Sequence, residues 1–294
     1  MSLWRGLARA LFRGFERLGV HITPRHYAFP IPDTARLDGE LWSGPAESPP
    51  GIDLRESEQL ELLDAMAREY GSEWASLPRE RPPRGGFYLR NRHFETVDAE
   101  MFHAFLRRRR PRRVIEAGSG FSTLLAVEAS AKNAQEGHPC AIEVYDPFAD
   151  DSIRALRDRG VSLHATEVQR APVEALASLE AGDILFIDSS HVLHVGSDVR
   201  FLFAEVIPRL APGVLVHVHD IFLPAHYPRR WVVEHLRFWN EQYVLQAFLS
   251  FNDRFRVMWA SHFMALRHAD RLASVFPSFR QDDEPASFWF ERVR

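Results

Sequence analysis

Short apolar segments alternate with helical segments from residue 98 onward, and this alternation restricts the fold more than any other feature of the 294-residue chain. A helix from Asp98 to about Arg110 is predicted before the first strand, and the apolar spacing between later strands is again helical. The predicted strands are 113–116, 141–145, 161–164, 184–188 and 214–219. Because strands that alternate with helices form a parallel sheet covered on both faces, the pattern predicts an α/β fold.

The segments after the fifth strand complete this prediction. A helix is predicted over "RRWVVEHLRFWNEQYVLQAFL", and a further helix separates the two alternating segments "RFRVMWA" and "ASFWFERV". These two segments predict a hairpin-like edge of the sheet in which one strand runs antiparallel.

The residues before this alternation form a separate N-terminal region, 1–97, which precedes a predicted domain at 98–294. Its first helix carries apolar residues at three- and four-residue steps, at Trp4, Leu7, Leu11, Phe15 and Leu18. Arginines occupy the opposite face of this helix. We expect the apolar face to dock on the protein or on a second subunit of a homo-oligomer, and contact with an anionic membrane surface is the alternative.

Composition limits the partners of the chain. With 36 basic and 40 acidic residues the net charge is -4, so the whole protein is not a polyanion binder. The basic run at 106–113 ends a predicted helix, where arginines complement the helix dipole, and no nucleic-acid partner is expected. A single cysteine, Cys140, indicates a reducing compartment, and no apolar stretch is long enough to span a membrane. We therefore expect a cytoplasmic protein.

The segment "VIEAGSGFSTLL", residues 114–125, predicts a nucleotide pocket. Gly118 and Gly120 allow a tight turn between a strand and a helix, and the helix start offers free amides to a ligand. A dinucleotide fingerprint has a third glycine where this chain has Thr123. This difference disfavours a nicotinamide-dependent oxidoreductase, which remains an alternative on the same sheet.

Carboxylates near the ends of the first two strands are candidate ligand contacts. Glu116 precedes the first glycine by two residues, where it could receive an ammonium group or order the loop through a water molecule. Asp146 follows the second strand, where a carboxylate could accept both hydroxyls of a ribose. Glu143 competes for that contact, but we favour Asp146 because Pro147 stops the strand beside it.

Two further motifs place ionisable residues at strand ends. "FIDSSH" puts Asp188 at the end of the fourth strand and His191 three residues later, and "VHVHDIF" puts His219 and Asp220 at the end of the fifth. Adjacent parallel strands end side by side, so these groups should converge on one rim of the sheet. His191 is a candidate general base. A metal-dependent hydrolase or oxygenase built on His191, His217, His219 and Asp220 is a further alternative.

Together, "IEAGSGFST", "YDP", "GDILFIDSSH" and "LAPGVLVHVHDIFLP" resemble the class I S-adenosylmethionine-dependent methyltransferases, in the group of bacterial sugar and small-molecule O-methyltransferases. The resemblance covers residues 98–294. It implies a Rossmann-like, doubly wound sheet of seven strands with the last one antiparallel, S-adenosylmethionine as cofactor and a small hydroxylated acceptor. The implied cofactor contacts are Glu116, Gly118, Ser119, Gly120, Ser122, Asp146 and Asp188, with Glu167 and Gln169 beside the adenine.

The strand-end cluster is also similar to that of metal-dependent O-methyltransferases, which hold magnesium with an acid after the fourth strand and an acidic or amide pair after the fifth. The resemblance implies Asp188, His219 and Asp220 as metal ligands here. We expect Asp188, His191 and Asp220 to be the catalytic groups, with His191 as the general base if no metal is bound. Because an imidazole replaces one oxygen ligand, a softer divalent ion or no metal at all is left open beside magnesium.

Overall fold

The computed structural model describes residues 2–23, 25–26, 28–37, 39–43, 47–83 and 85–294. Its contacts divide the chain into two compact units, one made of Met1–Pro45 and Pro228–Phe238, the other of Ala46–Tyr227 and Trp239–Arg294. Helices α1 (Ser2–Glu16) and α2 (Glu40–Ser43) belong to the first unit. The predicted N-terminal helix is thus present, whereas the side chains of Trp4 and Leu7 lie outside the described part of the chain. How its apolar face is used stays a prediction.

The second unit contains all seven strands of one sheet, in the order β3-β2-β1-β4-β5-β7-β6. The strands are β1 Arg113–Ala117, β2 Ala141–Tyr145, β3 Val161–His164, β4 Ile184–Ile187, β5 Leu215–Val218, β6 Phe255–Ala260 and β7 Phe288–Arg292. Strands β1 to β5 are parallel, and β7 lies antiparallel between β5 and β6. The predicted doubly wound sheet with an antiparallel last strand is confirmed.

Two helices of the second unit precede β1, and the others lie between strands in the chain order that the alternation predicted. They are α3 Glu56–Ala75, α4 Asp98–Arg109, α5 Phe121–Gln135, α6 Asp151–Arg154, α7 Val173–Ala177, α8 Asp198–Phe201, α9 Glu241–Leu249 and α10 Ser261–Val275. Helix α3 buries Leu63 and Met66 in the core of this unit, and its Glu73 pairs with Arg107 of α4 at 3.2 Å. The boundary of the predicted domain at residue 98 stays a prediction. Among the described residues, no helix is long and apolar enough to cross a membrane.

The central strands are apolar on both faces because helices cover both sides of the sheet. All residues of β4 and β5 are buried, including His217 within β5. The ring of His217 stacks on Phe186 with 3.8 Å between centroids, and its Nε2 lies 2.8 Å from the Ser287 hydroxyl. Burial holds the pKa of His217 well below its usual value. His217 is therefore a neutral core residue that is hydrogen-bonded to a hydroxyl.

The helix predicted over residues 229–249 is interrupted, and that prediction is wrong in its middle. A single π-helical turn covers Arg230–Glu234, Leu236 adopts a left-handed backbone with φ 55°, and α9 begins only at Glu241. The amides of Asn240 and Glu241 donate to the carbonyl of His191 at 3.1 and 3.2 Å. Because these amides bond to a distant loop, the helical hydrogen-bond pattern cannot run through them.

Candidate active site

A cavity of about 400 Å³ opens at the carboxyl ends of the parallel strands. Strands β1 and β4 are neighbours here, and the chain leaves them toward opposite edges of the sheet, which is the position where doubly wound folds bind ligands. Loops that follow β1, β2, β3 and β4 form the cavity wall, including Gly118, Ser119, Asp146, Glu167, Gln169 and Asp188. The predicted nucleotide pocket therefore coincides with an actual cavity.

Gly118 makes the turn after β1 possible. Its φ is 88°, and a Cβ on it would lie 1.8 Å from the carbonyl oxygen of Asp188. The amide of Asp188 in turn donates to the carbonyl of Ala117 at 2.9 Å. Any side chain at position 118 would push apart the ends of β1 and β4. Gly120 differs, because no described atom lies within 4 Å of its would-be Cβ.

Thr123 explains how the turn is built without a third glycine. Its hydroxyl accepts a hydrogen bond from the Gly120 amide at 3.1 Å and donates to Glu116 Oε2 at 2.7 Å. The Ser122 hydroxyl donates to Glu116 Oε1 at 2.5 Å. Glu116 is 1 % exposed, and burial raises its pKa to about 8. Glu116 thus orders the loop through two hydroxyls, and the contact of Glu116 and Ser122 with the cofactor stays a prediction.

Asp146 faces the cavity at the end of β2. It accepts hydrogen bonds from the Ser119 hydroxyl and, at 2.7 Å, from the Phe148 amide. Glu143, the competing candidate for the ribose, is paired with Arg113 at 2.8 Å instead. On the neighbouring wall, Gln169 has a buried Oε1 that lacks a hydrogen-bond partner among the described residues.

The four strand-end groups converge as predicted. Nε2 of His191 lies 3.3 Å from Asp188 Oδ1 and 3.6 Å from Asp220 Oδ2. Nδ1 of His219 lies 3.8 Å from Asp188 Oδ1 and 3.6 Å from Asp220 Oδ1. His191 and Asp220 both have a left-handed backbone, with φ 61° and 56°. Such strained conformations in residues other than glycine are concentrated at functional sites.

Two sets of potential metal ligands overlap in this cluster. Ligand atoms of Asp188, His191 and Asp220 all lie within 4.8 Å of one another. This set differs from the predicted one, Asp188, His219 and Asp220, in the histidine that it uses. Because His219 also lies within 4 Å of both carboxylates, the structure brings every predicted ligand together.

Two acids that the sequence did not single out lie behind the histidines. Glu241, fully buried, has Oε2 at 3.0 Å from His191 Nδ1. Asp98 has Oδ2 at 3.7 Å from His219 Nε2, and it accepts hydrogen bonds from the amides of residues 286 and 287. Each histidine therefore has carboxylates on both sides. Asp98 carried one sequence signal, an acid at the start of a predicted helix, which is common on helices that face solvent. Glu241 fell in the middle of the helix predicted over residues 229–249 and carried no such signal.

The charges of the cluster perturb its ionisation. Burial alone would raise the pKa of Asp188, but His219 and His191 hold it below its usual value. Burial alone would lower the pKa of His191, but hydrogen bonds to Asp188 and Glu241 and the charge of Asp220 raise it to about 10. An imidazole that already carries its proton at neutral pH cannot accept one, which counts against His191 as a metal-free general base.

Comparison with known proteins identifies the family. A family model described as a methyltransferase domain matches residues 115–221, which include the glycine turn, Asp146 and both strand-end motifs. An uncharacterized protein of Archaeoglobus fulgidus is 30% identical over 152 residues, 49% of this chain and 67% of that protein. The chain belongs to the class I S-adenosylmethionine-dependent methyltransferases. Membership of this family excludes the two alternatives, a nicotinamide-dependent oxidoreductase and a metal-dependent hydrolase or oxygenase.

Three solved structures are similar to this methyltransferase at low identity. An apo structure of CmcI is 16% identical with a TM-score of 0.39, and it covers 68% of this chain and 72% of that chain. A CmcI structure described as Mg-SAM is 16% identical with a TM-score of 0.39, over 76% of this chain and 84% of that one. Apo CalS11, described as a TDP-rhamnose 3'-O-methyltransferase in calicheamicin biosynthesis, is 14% identical with a TM-score of 0.41, over 86% and 98%.

Proposed function

We propose that this methyltransferase O-methylates a small hydroxylated acceptor, such as a sugar, a glycan precursor or a secondary metabolite, with the help of a divalent metal ion. One observation carries the proposal: Asp188 borders the cavity and also belongs to the histidine-carboxylate cluster. A cofactor in the cavity and an acceptor at the cluster would therefore meet at this residue. Holding donor and acceptor side by side supplies much of the acceleration in group transfer.

The cavity suits S-adenosylmethionine in size and chemistry. Its volume of about 400 Å³ lies within the range of small-molecule sites. Gly118, Ser119 and Asp146 line the cavity, where Asp146 would accept the ribose hydroxyls and the backbone at Gly118 and Ser119 would border the methionine part. The buried Oε1 of Gln169 would gain a donor from the adenine amino group.

The donor set of the cluster fits a divalent cation. Carboxylates of Asp98, Asp188, Asp220 and Glu241 outnumber the two imidazoles, and a cation would offset this excess. Asp188 and Asp220 with one or both histidines would hold the ion, and imidazole donors favour a first-row transition ion over magnesium. Such an ion lowers the pKa of a bound hydroxyl.

The reaction itself is a displacement at carbon. The acceptor oxygen forms a bond to the methyl carbon as the carbon-sulfur bond breaks, which leaves S-adenosylhomocysteine, and the hydroxyl proton must leave the oxygen. The residues of the cluster would orient the acceptor oxygen toward the cavity, and the hydroxyl proton would pass to a carboxylate of the cluster, since His191 already carries its proton. Asp188, at the border of both, would align the two reactants.

Removal of the Asp146 carboxylate is expected to weaken S-adenosylhomocysteine binding about 10- to 100-fold, since hydrogen bonds from the ribose to a charged acceptor are lost. Isothermal titration calorimetry of wild type and Asp146→Ala measures this effect. Glu143→Gln is the matched control, because Glu143 was the competing candidate and is paired with Arg113. If the wild type does not bind S-adenosylhomocysteine, or if Asp146→Ala binds it with equal affinity, the assignment of S-adenosylmethionine as cofactor is wrong.

Chelation is expected to lower methyl transfer about 10-fold or more, because a metal ion contributes several kcal/mol to stabilisation of developing charge. The assay uses labelled S-adenosylmethionine with an acceptor found by screening hydroxylated compounds. Added Mn²⁺ or Co²⁺ should restore activity at lower concentrations than Mg²⁺. S-adenosylhomocysteine affinity serves as the control and should survive chelation. Full activity after verified metal removal would refute metal assistance.

Contacts of the basic run at 106–113 support a small-molecule acceptor over nucleic acid. Five of its six arginines are paired with carboxylates of the protein. The pairs are Arg107 with Glu73 and Glu136, Arg109 with Glu291, Arg110 with Glu136, Arg112 with Glu180 and Arg113 with Glu143. A phosphate-binding patch needs cations that are available to the ligand. Location in the cytoplasm, assembly into a homo-oligomer and membrane contact by α1 stay predictions.

A further inference from the structure

The start of helix α9 is attached to the His191 loop by both backbone and side chains. Besides the amides of Asn240 and Glu241 that bond to the His191 carbonyl, the Leu193 amide donates to Asn240 Oδ1 at 2.6 Å. These contacts hold His191 in its left-handed conformation, with φ 61°. The loop that carries His191 is therefore fixed by an element 50 residues further along the chain.

The carboxylate of Glu241 lies in an unfavourable, buried environment. It is 0 % exposed, and its Oε1 has no hydrogen-bond partner among the described residues. Burial of a carboxylate is unfavourable because the charged group loses its hydration, and an apolar side chain of similar size would fill the same space without that loss. Packing alone thus gives no reason for an acid at this position.

The imidazole of His191 is held on three sides. Glu241 Oε2 lies 3.0 Å from Nδ1, while Nε2 faces Asp188 and Asp220 at 3.3 and 3.6 Å. The ring of Trp239 packs on the imidazole with 4.2 Å between centroids. When the Nδ1–H of a histidine donates a hydrogen bond to a carboxylate, Nε2 points to the opposite side of the ring. In metal sites, such a carboxylate fixes the orientation of the ligating histidine.

We propose that Glu241 is a positioning residue, which accepts a hydrogen bond from the Nδ1–H of His191 and thereby presents Nε2 to Asp188 and Asp220. In the metal-loaded protein this would make His191 Nε2 a nitrogen ligand, and His219 would lie on the other side of the same carboxylates. The role assigned to Nε2 rests on the proposed function, but the orientation of the ring does not.

Glu241→Gln removes the charge and keeps the size of the side chain. Since carboxylate acceptors make stronger hydrogen bonds than amides, the His191 Nδ1 proton should shift upfield in ¹H–¹⁵N spectra of the histidine rings. His191→Gln assigns that signal by its loss. Co²⁺ affinity, followed by calorimetry, should fall about 10- to 100-fold. The kcat of methyl transfer should fall in Glu241→Gln. The KM for S-adenosylmethionine should stay unchanged, because Glu241 does not line the described cavity wall.

Tyr243→Phe is the matched control, since it removes one polar atom from the same helix and that hydroxyl lies beside His226. It should leave the His191 signal, the Co²⁺ affinity and turnover at wild-type values. Should Glu241→Gln fail to fold, Glu241→Asp withdraws the carboxylate by one methylene and should move the same signal. An unchanged His191 signal in a folded Glu241 variant would overturn the proposal. If the wild type neither binds Co²⁺ nor transfers methyl groups, the proposed function fails while the ring spectrum still decides the role of Glu241.

Discussion

Asp188→Asn is expected to lower the kcat of methyl transfer by about 10²- to 10⁴-fold, the range found when a group that assists proton transfer is removed. The reason is that Asp188 belongs both to the cavity wall and to the histidine-carboxylate cluster. Asp188 lies on the cavity wall and its Oδ1 contacts His191 at 3.3 Å and His219 at 3.8 Å. An amide would keep the volume but would lose the charge that both imidazoles face, and with it a ligand for a cation.

Steady-state kinetics and Co²⁺ titration measure this effect, with thermal denaturation as the check on folding. Asp158→Asn makes the same chemical change at an exposed position and should behave as the wild type. If Asp188→Asn is folded and retains more than about a tenth of the wild-type kcat, well above the expected range, the cluster is not the catalytic centre.

Gly118→Ala is expected to destabilise the protein by about 3 kcal/mol or more, because it combines a left-handed backbone with a forced contact. The added Cβ would lie 1.8 Å from the Asp188 carbonyl oxygen, so the ends of β1 and β4 would have to separate. Because the entropy of unfolding grows with chain length, we expect the Tm to fall by about 5 °C or more. Differential scanning calorimetry in the absence of cofactor measures the change.

Gly120→Ala provides the matched comparison two residues away. The φ of Gly120 is 165°, an extended conformation open to any residue, and the space around its would-be Cβ holds no described atom within 4 Å. We expect a Tm within about 3 °C of the wild type, but weaker S-adenosylhomocysteine binding, because the proposed cofactor would approach the backbone here. Equal Tm losses in both variants would contradict the distinction between the two glycines.

Much of the fold could be predicted from local patterns. Strands β2 and β3 have the predicted bounds, β1 and β4 differ from prediction by one residue at one end, and β5 is one residue shorter at each end. Apolar runs bounded by turns carry this information because a strand covered on both faces must be apolar throughout. The prediction of a continuous helix over residues 229–249 was wrong for a physical reason. The amides of residues 240 and 241 donate to the His191 carbonyl, and the spacing of apolar residues does not predict that contact.

The candidate site was predictable where strand ends define it. Asp188 and His219 each follow a parallel strand directly, so both lie at the rim formed by the carboxyl ends of the strands. Strand direction alone determines this location, independently of the surrounding helices and loops. The role of Thr123 was not predictable, since only the folded turn shows its hydroxyl between the Gly120 amide and Glu116. A substitution that weakened the dinucleotide interpretation is thus an integral part of the loop.

By itself, the sequence determined the parallel sheet, the cofactor turn and the meeting of two motifs at one rim, because periodicity and strand direction are local properties of the chain. Only the tertiary structure decided that Glu143 pairs with Arg113, that Glu116 orders the loop, and that Glu241 lies behind His191. These contacts join side chains that are distant in the sequence or share no regular spacing. They depend on how helices and loops pack on the sheet, which no local pattern encodes.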